Sequence, residues 1–306
     1  MAEHAMYFAD ERAQRMYKIR TIVLKSLVYL FLTIFALFMI IPFVVMVLGS
    51  FVEAKAFDRF ENTANFAYLG FENWTFGNYQ TIFTYDSSRF PVFFLNTFIV
   101  AIGSTTVTVV TAVLAAFAFA RLNFKGKDAL FALLLATMMI PGEMMVITNF
   151  MTVNQLNWTN TFAALILVHG VSVFYIFYLR QTFQQIPNEL YLAAKVDGVG
   201  DIGYLWKVMI PIAMPTITTI IILSMMGAWN SFIWPNLVAD GYWKYNENHS
   251  MMLVSNGLRA MFAQNAAKFD AIKIAGSMVI SIPLFIVFIL FRKYIMRGVS
   301  RSGIKG

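Results

Sequence analysis

Residues 180–215 read RQTFQQIPNELYLAAKVDGVGDIGYLWKVMIPIAMP, a mixed polar segment set into a chain that is otherwise largely apolar. Pro187 stands where a first helical turn would begin, and Glu189 follows near the positive end of that helix's dipole. Residues 188–196 are good helix formers, with apolar positions at Leu190, Ala193, Ala194 and Val196. Asp197-Gly198 is a helix-stop or turn dipeptide. Asp201 can then cap a second short helix running through Val208, and Pro211 opens the apolar run beyond it. The segment reads as helix–turn–helix lying on a membrane surface. The paired alanines make a small smooth knob that a partner protein can approach closely; an amphipathic helix resting in the lipid interface fits the same residues. Gly198, Gly200 and Gly203 spell G-x-G-x-x-G, but the dinucleotide fingerprint needs a preceding strand and an acidic residue about 20 positions on. Here a helical stretch precedes it and an apolar run follows, so the glycines hold no nucleotide.

Working outward, the 306 residues are 59% hydrophobic and 13% charged, with no cysteine and a mean hydropathy of +0.67. A soluble domain is about 45–50% apolar and about 25% charged, so a water-soluble globule and a disordered chain are both excluded. Without cysteine there are no disulfides, thiolate nucleophiles, iron–sulfur clusters or thiolate-held zinc. Six stretches are long and apolar enough to cross about 30 Å of hydrocarbon: residues 22–51, 91–119, 129–151, 162–179, 210–238 and 271–291. None alternates as an outer-membrane strand does, so the expected fold is an all-α membrane protein with six transmembrane helices.

Charge sets the orientation. Of 23 Lys and Arg residues, 16 fall in the termini and the even-numbered loops, which places both termini in the cytoplasm by the positive-inside rule. The net charge of +7 is therefore a topology signal and calls for no nucleic acid. The expected organisation is a cytoplasmic N-terminal segment (1–21), a first transmembrane helix (22–51), an external loop (52–90), a five-helix core (91–291) and a cytoplasmic tail (292–306). Within the core lie the cytoplasmic loop 180–209 and an external loop 240–270. A loop of about 30 residues, where a minimal bundle needs about 2–8, has a task of its own.

The residues now carry a resemblance. Ala193-Ala194, Asp197-Gly198, Ile210-Pro211 and Pro215, at these spacings, resemble the coupling loop of binding-protein-dependent ABC importer permeases. Trp229-Asn230-Ser231-Phe232-Ile233-Trp234-Pro235 and the ending Gly303-Ile304-Lys305-Gly306 resemble motifs of the carbohydrate-uptake subfamily, in the pattern of the six-span permease of maltose-type transporters. The similarity covers residues 96–306. It implies the type I ABC importer permease fold in a bacterial or archaeal cell membrane. It also implies a second homologous permease subunit, two copies of an ATPase subunit and an external sugar-binding protein. Glu189, Ala193, Ala194, Asp197, Gly198 and Pro211 would then form the ATPase-coupling site, with Lys305 in the tail as a further ATPase contact. The family usually carries Glu directly before the paired alanines, where this chain has Leu192; Glu189 lies one turn earlier. The acidic residue after Trp-Asn in the second motif is Ser231 here.

Polar groups inside a span are costly and mark function by default. Glu143 follows Pro141-Gly142, which should kink the third span; it is a candidate hydrogen-bond acceptor on the translocation path or a partner for backbone freed by the kink. Trp229 and Asn230 suit a sugar, by CH stacking on the ring and hydroxyl bonding to the amide, or else line a gate shared with the partner permease. His169 reads as a packing residue, since no chain of acids and histidines exists for a proton relay. The chain lacks G-x-x-x-x-G-K-[ST], so ATP must be hydrolysed by separate subunits and no cofactor is expected. The leading expectation is a sugar importer permease working by alternating access. A secondary transporter or channel not driven by ATP is the alternative, and would show inverted repeats or broken helices with intramembrane charges, neither of which the sequence clearly displays.

Overall fold

Unbroken apolar sequence with few helix breakers makes long helices, and the first 49 residues show the extreme case. The computed structural model describes residues 2–53, 56, 69–84, 89–261 and 270–300. Helix α1 (Ala2–Gly49) contains one proline, Pro42, and its portion from Arg15 to Gly49 is 35 residues long. At 1.5 Å per residue that is about 52 Å, more than the hydrocarbon thickness alone. The segment expected as a separate N-terminal piece, 1–21, is therefore largely continuous with the first span. The side chains of residues 22–43 are exposed around the whole circumference, as lipid contact requires.

The chain divides into two compact units, residues 1–78 with 270–278 and residues 79–269 with 279–306. In the first unit the end of α1 is closed by polar bonds. The Asn78 side-chain amide donates to the Ser50 carbonyl at 3.0 Å and the Val52 carbonyl at 2.7 Å. Phe51 stacks on Trp74 and meets Phe76 edge-on. Helix α2 (Gly77–Thr84) follows.

The second unit is built around α3 (Phe90–Arg121), an apolar helix with Pro91 in its first turn, where a missing N–H costs nothing. The third expected span, 129–151, is broken into α4 (Lys127–Thr137) and α5 (Val146–Gln155), joined by a 3-10 turn at Gly142–Met145 and bent by 84°. The break has a local cause. Pro141 pushes Ile140 out of the helical region and offers no N–H to the preceding turn. The fourth expected span, 162–179, is not a single helix either, and this corrects the sequence reading. It consists of α6 (Phe162–Ile166) and α7 (Val173–Gln184), each with its own N-cap: Thr161 accepts from the Ala164 N–H and Ser172 from the Tyr175 N–H.

Helix α8 (Asn188–Val196) begins and ends where the sequence placed it. The fifth expected span departs at both ends. Helix α9 (Asp201–Trp229) is one continuous 29-residue helix with a wide π turn at Leu205–Met209. The expected second short helix is thus the foot of the fifth span, and Pro211 lies inside the helix instead of opening it. The wide turn lies just ahead of Pro211, whose missing N–H removes a rung of the ladder. The span also stops at Trp229, and 233–238 is a separate helix, α10 (Ile233–Val238). The external segment holds a small antiparallel hairpin, β1 (Tyr242–Trp243) with β2 (Asn246–Ser250), and helix α11 (Val254–Met261). Last comes α12 (Asp270–Ser300). Among the described residues the architecture is helical apart from the hairpin, with four helices long and apolar enough to cross a membrane, or five if α4 and α5 form one bent span.

Two apolar clusters hold the second unit. One joins Phe117 of α3, Leu179 and Phe183 of α7, and Tyr204, Leu205 and Met209 of α9. The other joins Val100, Val153, Leu165, Trp234, Met251 and Leu253. The hairpin is anchored by Asn96, whose amide donates to the Ser250 and Met252 carbonyls at 2.7 and 3.0 Å.

Candidate functional site

The loop expected to carry the coupling site is built from α8 and the foot of α9. Helix α8 ends by a defined mechanism. Gly198 takes φ +75°, a left-handed conformation that costs an L side chain about 1–2 kcal/mol. The Gly198 N–H reaches the Lys195 carbonyl at 3.1 Å and the Val199 N–H the Ala194 carbonyl at 2.8 Å. That pairing is a Schellman closure, and it satisfies carbonyls that would otherwise be orphaned.

The inner face of α8 is fixed by Tyr191 and Ala194, packed on the cluster around Tyr204. The Tyr191 ring meets Tyr204 edge-on at 5.1 Å, and its hydroxyl donates to Asp201 Oδ1 at 2.7 Å. Lys195 Nζ lies 2.7 Å from the same oxygen. Asp201 was expected to cap a helix. Gly200 holds the cap position instead, with no side-chain bond, and Asp201 ties the two arms of the loop together. Its hydrogen bond holds the Lys195 ammonium above the ordinary lysine range and also raises the Tyr191 hydroxyl.

The outer face is left apolar. Leu192, Val196, Ile202 and Trp206 are all exposed, Val196 by 87%. Glu189, Ala193 and Asp197 share that exposure, and Pro187 starts the helix by holding its cap position. Four of the six residues expected at the coupling site, Glu189, Ala193, Asp197 and Gly198, therefore lie on the exposed side of α8 and its turn. Ala194 is half turned into the core, and Pro211 sits nearly three turns up the rising helix. Lys305 lies outside the described residues.

Arg121 is the functional residue that sequence reasoning passed over as a topology charge. Its Nη2 donates to the Phe183 carbonyl at 2.9 Å and to the Ile186 carbonyl, and its Nη1 reaches Asn188 Oδ1 at 3.4 Å. It joins the end of α3 to the end of α7 and the first residue of α8. The legible signal was a lone Arg in the last turn of an apolar helix, where the carbonyls it can serve are unpaired. Arg180 acts in parallel, donating from Nε to the Phe119 carbonyl at 3.2 Å and lying over the Phe131 ring at 4.0 Å.

A cavity of about 220 Å³ lies deeper, between α3, the α6–α7 break, α9 and α10. Ser104, Thr108, His169, Ser224, Ser231 and Trp234 are among its lining residues. The residues expected on a translocation path lie elsewhere. Trp229 is buried, with its indole N–H on the Ile280 carbonyl at 3.1 Å and its ring edge-on to Phe94 and Phe98, so its ring is taken up in packing. The Asn230 amide donates to the Met226 carbonyl at 3.0 Å and is exposed. Glu143 sits exposed on the turn between α4 and α5, so the kink was legible and the placement along a straight helix was not. His169 meets the Trp234 ring edge-on at 5.2 Å.

A helical membrane protein with an internally braced loop between two of its helices is the class that fold and site define. The chain belongs to the family of binding-protein-dependent transport system inner membrane components, which it matches over residues 108–302. It is 30% identical over 232 residues to the arabinooligosaccharides transport system permease protein AraQ of Halalkalibacterium halodurans, covering 76% of this chain and 80% of that protein. It is 27% identical over 280 residues to the inner membrane ABC transporter permease protein YcjP of Escherichia coli, covering 91% and 95%. Among solved structures, a chain of a bacterial ABC transporter involved in the import of the acidic polysaccharide alginate superposes with a TM-score of 0.73 at 22% identity, over 92% of this chain and 98% of that one. That likeness is one of fold: the type I importer permease.

Proposed function

We propose that this chain is one of two membrane subunits of an ATP-driven, binding-protein-dependent sugar importer in a bacterial or archaeal cell membrane. One observation carries the reading: a loop braced internally by Tyr191, Asp201 and Lys195, whose outer face presents Leu192, Val196, Ile202 and Trp206. Such a face suits a groove on another protein, and family membership supplies the class of partner. Two copies of an ATPase subunit serve the complex, one docking on Glu189, Ala193, Ala194, Asp197 and Gly198 and the other on the homologous permease. Pro211 and the wide turn at Leu205–Met209 pass that contact into α9. Lys305 is an additional ATPase contact from the tail.

Sugar as the cargo is supported by a relative named for arabinooligosaccharide transport and by a fold neighbour crystallised with an alginate pentasaccharide-bound periplasmic protein. An external binding protein delivers the sugar, closure of the ATPase dimer opens the permease outward, and hydrolysis resets it. We assign six crossings with both termini cytoplasmic, taking α4–α5 as the third and α6–α7 as the fourth. Asn230 and Glu143, both exposed, are placed at the gate shared with the partner permease.

The decisive experiment is co-purification of the tagged chain with its genomic-neighbour permease and ATPase, followed by uptake in proteoliposomes. The expected result is a complex with two ATPase copies whose uptake needs ATP and binding protein. The single variant Val196→Asp changes an exposed position, where substitutions shift stability by about 0.5 kcal/mol or less, and should strip the ATPase from the complex. Transport by the chain alone without ATP would instead establish a secondary transporter.

A further inference from the structure

The cavity beside the α6–α7 break takes part of its wall from α3, where Thr105 also holds a buried hydroxyl without a partner among the described residues but outside the lining. On α3, Thr97, Thr106 and Thr111 each return the hydroxyl proton to the carbonyl four residues back, at 2.7, 2.8 and 2.9 Å. Ser104 and Thr108, one helical turn apart on the same helix, line the cavity. They are only 8% and 3% exposed, and their hydroxyls make no hydrogen bond among the described residues. Buried hydroxyls are nearly always bonded, because an unmet one costs its full desolvation. Across the cavity Ser224 and Ser231 offer two more hydroxyls, and His169 offers a ring nitrogen. Trp234 has already given its indole N–H to the Ala164 carbonyl at 3.0 Å, so only its apolar ring surface is free to meet a ligand.

The break itself is held still. Thr111 also donates to the Gly170 carbonyl at 2.9 Å, and Gly170 lies so close to α3 that an added Cβ would stand 2.6 Å from Val107 Cγ1. Separate hydroxyls facing one another beside an aromatic surface are the complement of a pyranose or furanose ring, whose hydroxyls need partners and whose CH face needs an apolar plane. At about 220 Å³ the space is below the roughly 300–1,000 Å³ of sites that enclose drug-sized ligands. It fits one sugar unit and no more.

Resting on the importer reading above, the geometry points to a single-ring sugar subsite inside this subunit, formed by Ser104, Thr108, Ser224, Ser231, His169 and the Trp234 ring. This chain would then hold one unit of the cargo directly during transit, in addition to whatever the partner permease holds.

Two variants of the full complex test it. At Gly227 an added Cβ meets nothing within 4 Å, and the residue lines the cavity, so Gly227→Leu fills the space while improving helix propensity. Ser104→Ala with Thr108→Val removes both α3 hydroxyls at nearly constant shape. Uptake of radiolabelled arabinotriose into proteoliposomes is the readout, with complex recovery by size exclusion as the control for assembly. The expected result is intact complex from both variants, an uptake loss of at least tenfold in Gly227→Leu, and a KM raised threefold or more in the double variant. Uptake within twofold of wild type by either assembled variant overturns the subsite while leaving the importer intact. If the wild-type complex shows binding-protein-stimulated ATP hydrolysis yet imports no arabinotriose, maltotriose or glucose, the sugar reading fails and the subsite falls with it.

Discussion

The α8–α9 loop and the α3 cavity differ in how their polar groups are placed. In the loop Asp201 is met by Tyr191 and Lys195 and the end of α8 by the Gly198 closure, while the Tyr204 hydroxyl is buried without a partner among the described residues. The loop's outer face shows Leu192, Val196, Ile202 and Trp206 beside Glu189 and Asp197. In the cavity Val100, Leu165, Leu223 and Leu253 share the lining with the unmet hydroxyls of Ser104 and Thr108. An exposed convex face of hydrocarbon is suited to a protein groove; a recess that mixes apolar wall with unmet hydroxyls is suited to a small ligand that has both kinds of surface.

Substitutions at four positions break or sharpen this contrast, in order of expected effect. Gly198→Val forces a β-branched residue into φ +75°, a strain of about 1–3 kcal/mol that unravels the end of α8. Uptake should fall by more than about tenfold, a factor worth about 1.4 kcal/mol, while ATP hydrolysis persists and membrane insertion is normal. Wild-type uptake would remove the docking role from this turn. Arg121→Ala strips three acceptors joining α3, α7 and α8 and should destabilise by about 1–3 kcal/mol. Arg121→Lys keeps the charge but loses the fork and should recover only part of the uptake in the same vesicles.

Gly170→Ala tests the cavity side. Its Cβ would meet Val107 Cγ1 at 2.6 Å, so overpacking of about 1–3 kcal/mol is expected, partly relieved by side-chain movement. A lowered thermal midpoint of the purified complex with unchanged ATPase recovery would confine the damage to the cavity wall. Asp201→Asn is the mildest. The ion pair with Lys195 is 43% and 40% exposed, and such pairs contribute about 0–1 kcal/mol. The amide still accepts from Tyr191, so the midpoint should barely move; a large drop would mean that the pair holds the loop shut.

Much of this was legible in the sequence where one local rule decides the outcome. Pro187, the run of helix formers and Asp197-Gly198 sufficed to bound α8, because propensity and stop chemistry agree there. The second, fifth and sixth apolar stretches hold long helices for the same reason. The breaks were harder. Hydropathy sees residues 162–179 as one greasy run, but Thr161 and Ser172 each cap a helix start, and Gly170 lets the backbone close on α3. A window average cannot register a cap. The foot of α9 was missed for a related reason, since Pro211 reads as a helix start unless a wide turn ahead of it absorbs the lost bond. The cavity hydroxyls were illegible altogether. Ser104 and Thr108 differ from Thr97 and Thr111 only in what faces them, and that is tertiary information. Arg121 lay between: its helix-end position was visible, its acceptors were not.

The continuity of α9 has a mechanical side. Twenty-nine residues at 1.5 Å each make a shaft of about 43 Å. Its foot, Asp201 with Tyr204 and Leu205, belongs to the docking loop, and its upper turns carry Leu223, Gly227 and Ala228 in the cavity wall. A shaft fixed to a load at one end and to a container at the other needs no relay of side chains between them. Under the proposed coupling, a displacement of the foot would reach the wall of the container through the helix itself.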